Sequence, residues 1–298
     1  MLKTTTILSI LFALCNATKI VLTNDDGWAV AQIRAEYDAL KAVGHEVILS
    51  APAVNKSGSG SSSTTPTTLT SPCEFDSCPA GSPAIGSNSS DPNINYVNAF
   101  PVDAVRFGIQ TLSPQTFDSP PDLVISGSNI GTNLALDVFF SGTIGAAAEA
   151  VLEGIPSVAF SGSSGSQVSY TTLTSDPTAD STIAAGIYTE LIIKFISSLL
   201  NSPSPILPLG VSLNVNFASI SSCPSTSSYK FVLTRIFPTL LSIDVDTCGS
   251  SKLPTESSAI TQGCIATVSV FYAKTKLDAD STAQAAVLSK LSSILECL

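Results

Sequence analysis

The chain of 298 residues is 44% hydrophobic and only 12% charged. That is material for a sizeable core, it excludes disorder as the default state, and the length suits one large α/β domain. A formal net charge of −10 excludes a protein that grips nucleic-acid duplex through a general basic patch.

Met1, Leu2 and Lys3 precede an apolar run over 6–14, which ends in Cys15, Asn16 and Ala17. One positive charge, a short apolar stretch and small residues make a secretory signal peptide over 1–17, leaving a mature domain over 18–298 and a secreted, extracellular protein. The run is too short to span a bilayer, and no later stretch offers about 18 uninterrupted apolar residues, so no membrane span is expected. Once Cys15 leaves with the signal peptide, Cys73, Cys78, Cys223, Cys248, Cys264 and Cys297 remain. An even number in an oxidising compartment implies three disulfides. Cys73 and Cys78 are near enough to close a small loop; the other pairings stay open. The cysteines lack C-x-x-C spacing and nearby histidines, which argues against a zinc site. Asn16, Asn55 and Asn88 head glycosylation acceptor sequences, with Asn88 the best placed.

The apolar run over 19–23 reads as a buried parallel strand. The turn Asn24, Asp25, Asp26, Gly27 follows it. Val30, Ile33, Tyr37 and Leu40 at helical spacing predict a helix over 29–43, with Gly44 just past its end. Residues 45–50 form the second strand, in a right-handed βαβ start. Residues 51–93 are dominated by Ser, Thr, Gly and Pro and read as a long loop with a strand around 67–69. Loops of that length are functional or disordered. Regular structure resumes with a strand from 96 and a helix over 102–112, with Pro101 near its start. Then come a strand over 122–126, a loop over 127–140, a helix over 141–153 and a strand over 155–160. An amphipathic helix over 182–200 and a strand over 210–217 follow. The extension over 218–298 is less orderly, with strands at 231–236 and 265–272 and a final helix over 281–296. This alternation predicts an α/β fold: a doubly wound, mostly parallel, Rossmann-like sheet with antiparallel strands added by the C-terminal extension.

Ligands of open α/β sheets bind beyond the carboxyl ends of the strands. There the chain places Asn24, Asp25 and Asp26 after the first strand, Ser57 in the loop after the second, and Gly127, Ser128 and Asn129 after the strand over 122–126. Two adjacent carboxylates repel each other, and a cation removes that penalty. Asp25, Asp26, the Ser57 hydroxyl and the Asn129 carbonyl form an all-oxygen set, which suits a hard divalent ion such as Mg²⁺, Mn²⁺ or Ca²⁺. Ser141, Gly142 and Thr143 open a helix whose N–H groups and dipole suit a phosphate. Each signal also has an ordinary reading, as a plain turn and a plain N-cap.

The segment from Ile20 to Gly27 resembles the opening signature of the survival-protein SurE family of metal-dependent nucleotidases and acid phosphatases. Gly44 to Val47, then Ala51 and Pro52 followed by Ser57, are similar to its second-strand region, and Pro101 to Asp103 to its helix start. Residues 126–133 and 136–149 resemble its longest motif, with Gly154 to Ala159 following in register. The likeness covers roughly 19–213 apart from the long loop. Carried across, it implies metal ligands at Asp25, Asp26, Ser57 and Asn129, and a phosphate site at Asn133, Ser141, Gly142 and Thr143. It further implies hydrolysis of phosphomonoesters, often nucleoside monophosphates, and homo-oligomers built through the C-terminal region. Ala135 departs from the family's usual Gly, and the C-terminal third matches weakly.

On this reading Asp25 acts as base toward a water, or one carboxylate of the Asp25 and Asp26 pair attacks directly through a phospho-aspartate. His45, the single histidine, lies at the start of the second strand, away from the site, and reads as structural. Trp28 reads as core packing before a stacking wall. The rival from another class is a secreted, metal-dependent nucleotide- or phosphate-binding protein without turnover.

Overall fold

The computed structural model describes residues 17–239 and 243–298. Residues 1–16 of the signal peptide expected over 1–17, Asn16 among them, lie outside the described residues.

β1 (Lys19–Thr23) carries Ile20, Val21 and Leu22 into the interior without exposed surface. α1 (Ala31–Ala42) turns Ile33, Tyr37 and Leu40 inward, and β2 (Glu46–Pro52) follows. The long loop leads to β3 (Ile85–Ser87) and β4 (Ile94–Val97). The single helix expected over 102–112 is broken into α2 (Pro101–Phe107), a π-helical turn at Gly108–Leu112 and α3 (Ser113–Phe117). Gly108 there lies tight against β1, where a Cβ would sit 2.7 Å from Val21 Cγ1. Next come β5 (Leu123–Ile130), α4 (Asp137–Phe140), α5 (Gly142–Leu152) and β6 (Ser157–Gly162). α6 (Thr172–Ser175), α7 (Asp180–Leu200) and β7 (Val211–Phe217) follow. β8 (Lys230–Thr234), α8 (Glu256–Ala259), β9 (Ile265–Tyr272) and α9 (Ser281–Lys290) make up the extension.

Among the described residues the strands form a nine-stranded sheet in the order β3-β4-β2-β1-β5-β6-β7-β9-β8. From β4 to β7 the neighbours are parallel. β3 is antiparallel to β4, and β9 is antiparallel to β7. β8 runs parallel to β9, so both extension strands oppose the main direction. The chain winds outward from β1 to β2 and β4, then returns to β5 on the other side of β1. The crevice beyond the ends of β1 and β5 is therefore the topological switch point, where α/β sheets bind ligands.

Several expectations over irregular stretches are corrected. No strand forms around 67–69: Leu69 exchanges single bonds with Ser82 and Gly81, and no neighbour extends them. β5 continues to Ile130 through a bulge between Ser126 and Asn129, and α4 occupies part of the expected loop over 127–140. α9 stops at Lys290, and the following segment turns alongside β8, where Glu296 N–H donates to Phe231 O at 2.8 Å. His45 is half-buried in the turn before β2, at the opposite end of the sheet from the switch point.

The core is fastened by aromatic rings. Phe217 stacks on Phe160 and on Tyr188, and meets Phe231 and Tyr229 edge-on. α7 is long and apolar enough by length and composition to cross a membrane. Here its Tyr188, Leu191, Ile192, Phe195 and Leu199 are buried in the core, as in a core helix. Disulfides join Cys73 to Cys78, Cys223 to Cys264 and Cys248 to Cys297, which resolves the pairings the sequence left open. Deleting the Phe217 ring removes four ring contacts from a fully buried site. Phe217→Ala is expected to destabilise the fold by about 3–5 kcal/mol, read from urea denaturation with the disulfides intact.

α8 buries Glu256 completely. Burial pushes its pKa up to about 8 from 4.5, against the bonds donated by Ser269 and Asn214. The folded chain therefore keeps a proton that the unfolded chain has already lost. Glu256 contributes fully to stability below about pH 4.5, and that contribution is lost as pH rises through about 8. Glu256→Gln is expected to flatten the fall in stability across this window, measured as denaturation midpoints at stepped pH.

Candidate functional site

The site is assembled on the turn after β1. Asn24 folds its side chain over the turn, accepting from Gly27 N–H at 3.1 Å and donating to Gly27 O at 3.0 Å. Gly27 has φ +114°, and a Cβ there would meet Glu74 Oε2 at 2.1 Å, so glycine is needed on both counts. This braced turn presents Asp25 and Asp26, both buried.

Asp25 points at the start of α5. Its Oδ1 accepts from Thr143 Oγ1 at 2.6 Å, and the backbone N–H groups of Thr143 and Gly142 also favour its charged form. A Cβ on Gly142 would lie 2.8 Å from Asp25 Cβ and 2.8 Å from Ser59 Oγ. The glycine thus lets the helix end close on the carboxylate. Ser141 spends its hydroxyl on capping the helix, accepting from Ile144 N–H at 3.1 Å. Asp26 accepts from Ile130 N–H at 2.9 Å and from the Gln167 side-chain amide.

Burial raises the pKa of Asp25. Asp26 is raised well above the usual carboxylate range, first by burial and then by the charge of Asp25. Among the described residues no ion pair reaches either aspartate. Two buried carboxylates without a basic partner are costly when ionised, and a bound cation offsets that cost.

The other expected donors arrive around the same turn. The Ser57 segment is pinned to it by Lys56 N–H donating to Asp25 O at 2.7 Å, and Ser57 N–H donates to Asn55 Oδ1 at 2.7 Å, leaving Ser57 exposed. Asn129, one residue before the Ile130 amide that binds Asp26, donates its Nδ2 to Gly131 O at 2.6 Å. That bond commits the amide nitrogen, so Oδ1 is the atom that could meet a cation. Asn133 donates to Ser161 Oγ at 2.7 Å, and Ser161 is the ladder partner of Asn129. Among the described residues no group of three or more His, Cys, Asp or Glu side chains gathers as a metal cluster. Two carboxylates with the neutral oxygens of Ser57 and Asn129 on adjoining segments could hold a hard divalent ion with positions left open.

Four further side chains enter the site's surroundings. Gln167 reaches Asp26 from the loop after β6. Glu74, held between Cys73 and Cys78, lies against Gly27, and burial lifts its pKa to about 7. Glu36 of α1 accepts from Ser128 N–H at 3.1 Å beneath the β5 bulge. Ser59 keeps a buried hydroxyl without a partner beside Gly142. Glu36 left a trace in the sequence: an acid on the same helical face as Ile33, Tyr37 and Leu40. The other three sit in aperiodic segments. Trp28 is packing, edge-on to Tyr96 with its Nε1 donating to Ser77 at 3.0 Å.

The model of the family described as Survival protein SurE matches residues 20–240. An "Acid phosphatase" of Yarrowia lipolytica is 39% identical over 213 residues, which is 70% of this chain and 59% of that protein. A "5'-nucleotidase SurE" of Lawsonia intracellularis is 35% identical over 202 residues, 68% of this chain and 66% of that one. The chain thus spans less than two thirds of either relative. The crystal structure of the SurE protein from Aquifex aeolicus superposes with a TM-score of 0.57 at 24% identity, covering 85% of this chain and 93% of that one, and shares the fold. With its braced aspartate turn at the switch point and the match over 20–240, the chain belongs to the survival protein SurE family.

Proposed function

We propose that this chain is an exported, divalent-metal-dependent phosphomonoester hydrolase, of the acid phosphatase or 5'-nucleotidase type, acting on nucleoside monophosphates or other small phosphate esters. The observation that carries the reading is the meeting of Asp25 with the N-terminus of α5 through Thr143. A carboxylate pair in need of a cation and a helix end suited to an anion share one point. The names of the relatives from Yarrowia lipolytica and Lawsonia intracellularis support the same chemistry. Three disulfides agree with an oxidising compartment, and the chain's first seventeen residues with export.

Asp25, Asp26, Ser57 and Asn129 would hold the ion, for which Mg²⁺ or Mn²⁺ fits the oxygen donors best and Ca²⁺ also fits. Bound there, a divalent cation supplies positive charge to a phosphate oxygen and acidifies a water. The chain's own groups do the rest. Thr143 fixes the Asp25 carboxylate, which is thereby oriented to take a proton from the attacking water. The positive dipole end of α5, with Asn133, favours the phosphate oxygens whose charge grows in the transition state. The buried walls around Asp26 exclude bulk water and strengthen each of these contacts.

Asp25→Asn is expected to lower kcat on 4-nitrophenyl phosphate by about 10³-fold or more. In metal-free buffer its thermal midpoint should equal or exceed that of the unsubstituted chain, because one desolvated charge is gone. Retention of most activity would reject the role of Asp25. For the whole chain, a chelator is expected to abolish release of phosphate from AMP and 4-nitrophenyl phosphate, and Mg²⁺ or Mn²⁺ to restore it. Metal-dependent binding of these esters without turnover would instead identify a phosphate-binding protein.

A further inference from the structure

The segment from Ser128 to Ala135 carries Asn129 and Asn133, and three buried acids from distant parts of the chain hold it. Glu36 accepts from Ser128 N–H and Asp26 from Ile130 N–H. The third, Glu256, comes from α8 in the C-terminal extension, where the Ala135 amide favours its charged form. Ala135 itself has φ +50°, a left-handed conformation that carries strain on any residue with a Cβ. A residue with a Cβ held in that conformation needs a restraint here.

The restraint runs through one amide. Asn214 Nδ2 donates to Asn133 O at 2.8 Å and to the two carboxyl oxygens of Glu256 at 3.2 and 3.0 Å. Ser269 Oγ donates to Glu256 Oε2 at 3.0 Å. Asn216 completes the bracket: its Oδ1 accepts from Asn133 N–H at 2.8 Å, and its Nδ2 donates to Asn133 O at 3.3 Å. Both backbone groups of Asn133 are thus fixed from β7, and Asn214 is oriented by Glu256. An acid at a fully buried place is a poor choice for stability alone, where a well-packed apolar side chain serves better.

We propose that Glu256 is a positioning residue for the phosphate-binding segment: by orienting Asn214 it fixes the Asn133 carbonyl, and with it the direction in which Asn133 meets the substrate. The proposal rests on the reading of Asn133 as a substrate-binding residue. It gives the C-terminal extension a part in catalysis.

The test is steady-state kinetics of the full, metal-loaded chain on 4-nitrophenyl phosphate, with Asn133→Ala as the reference. Glu256→Ala and Asn214→Ala are each expected to raise KM about tenfold. The double substitution should raise it no further than either alone, because the two act in series. Glu256→Gln keeps an acceptor for Asn214 and is expected to restore a KM near the original. A purely structural Glu256 would lower the active fraction, and so the apparent kcat, without moving KM. If Glu256→Ala does not fold, Asn214→Ala and Glu256→Gln decide the matter. An unchanged KM in Asn214→Ala, or a KM raised equally by Glu256→Gln and Glu256→Ala, overturns the proposal while an elevated KM in Asn133→Ala leaves the underlying reading standing. An unchanged KM in Asn133→Ala overturns both.

Discussion

Two adjacent carboxylates buried at the end of a strand are the constraint around which the molecule is arranged. In water, Asp25 and Asp26 would cost little to ionise. Enclosed as they are, each must be given hydrogen-bond donors. The donors come from three places far apart in sequence: the start of α5 with its Thr143 hydroxyl, the Ile130 amide and the Gln167 side chain. Satisfying one short turn therefore fixes the mutual placement of β5, α5 and the loop after β6. The sheet order supplies the location, because the reversal of winding at β1 opens a crevice where these segments can meet.

Small residues make the convergence sterically feasible. Gly27 admits the Glu74 carboxyl, and Gly142 admits Asp25 and Ser59. Gly145 lies so near Gly60 that a Cβ would sit 2.0 Å from its carbonyl oxygen. The long loop after β2 is therefore docked on α5 rather than loosely draped. Its irregular backbone is held by the Cys73 to Cys78 bridge, by Glu74 N–H donating to Ala53 O and by Asp103 accepting from Ser63 and Thr64.

How much of this was legible in the sequence depended on the range of the signal. The buried strands β1, β5, β6, β7 and β9 announced themselves, because a central strand must be apolar on both faces and the chain there is rich in Val, Ile, Leu and Phe. The turn carrying Asp25 and Asp26 was legible from its place just beyond β1, whereas Asn129, expected after its strand, lies within β5 past the bulge. β3 was not, since Ile85, Gly86 and Ser87 carry no alternation and pair only through β4. The extension's two strands were readable as strands, but the parallel pairing of β8 with β9 depends on a long excursion that no local pattern encodes. Gln167 and Glu256 reach the site across 141 and 42 residues of separation from their partners Asp26 and Asn214. Only the folded backbone brings those groups together.

The return of the segment around Leu295 and Glu296 along β8 bears on self-association. An outer strand normally shows a row of unpaired amides that can template another chain. Here Phe231 O is already taken by Glu296 N–H, and the Cys248 to Cys297 bridge staples the covering segment in place. At the other flank, β3 is three residues long and offers little ladder to extend. Continuation of the sheet by a second copy is therefore hindered at Phe231 on one border and has only three residues to build on at the other.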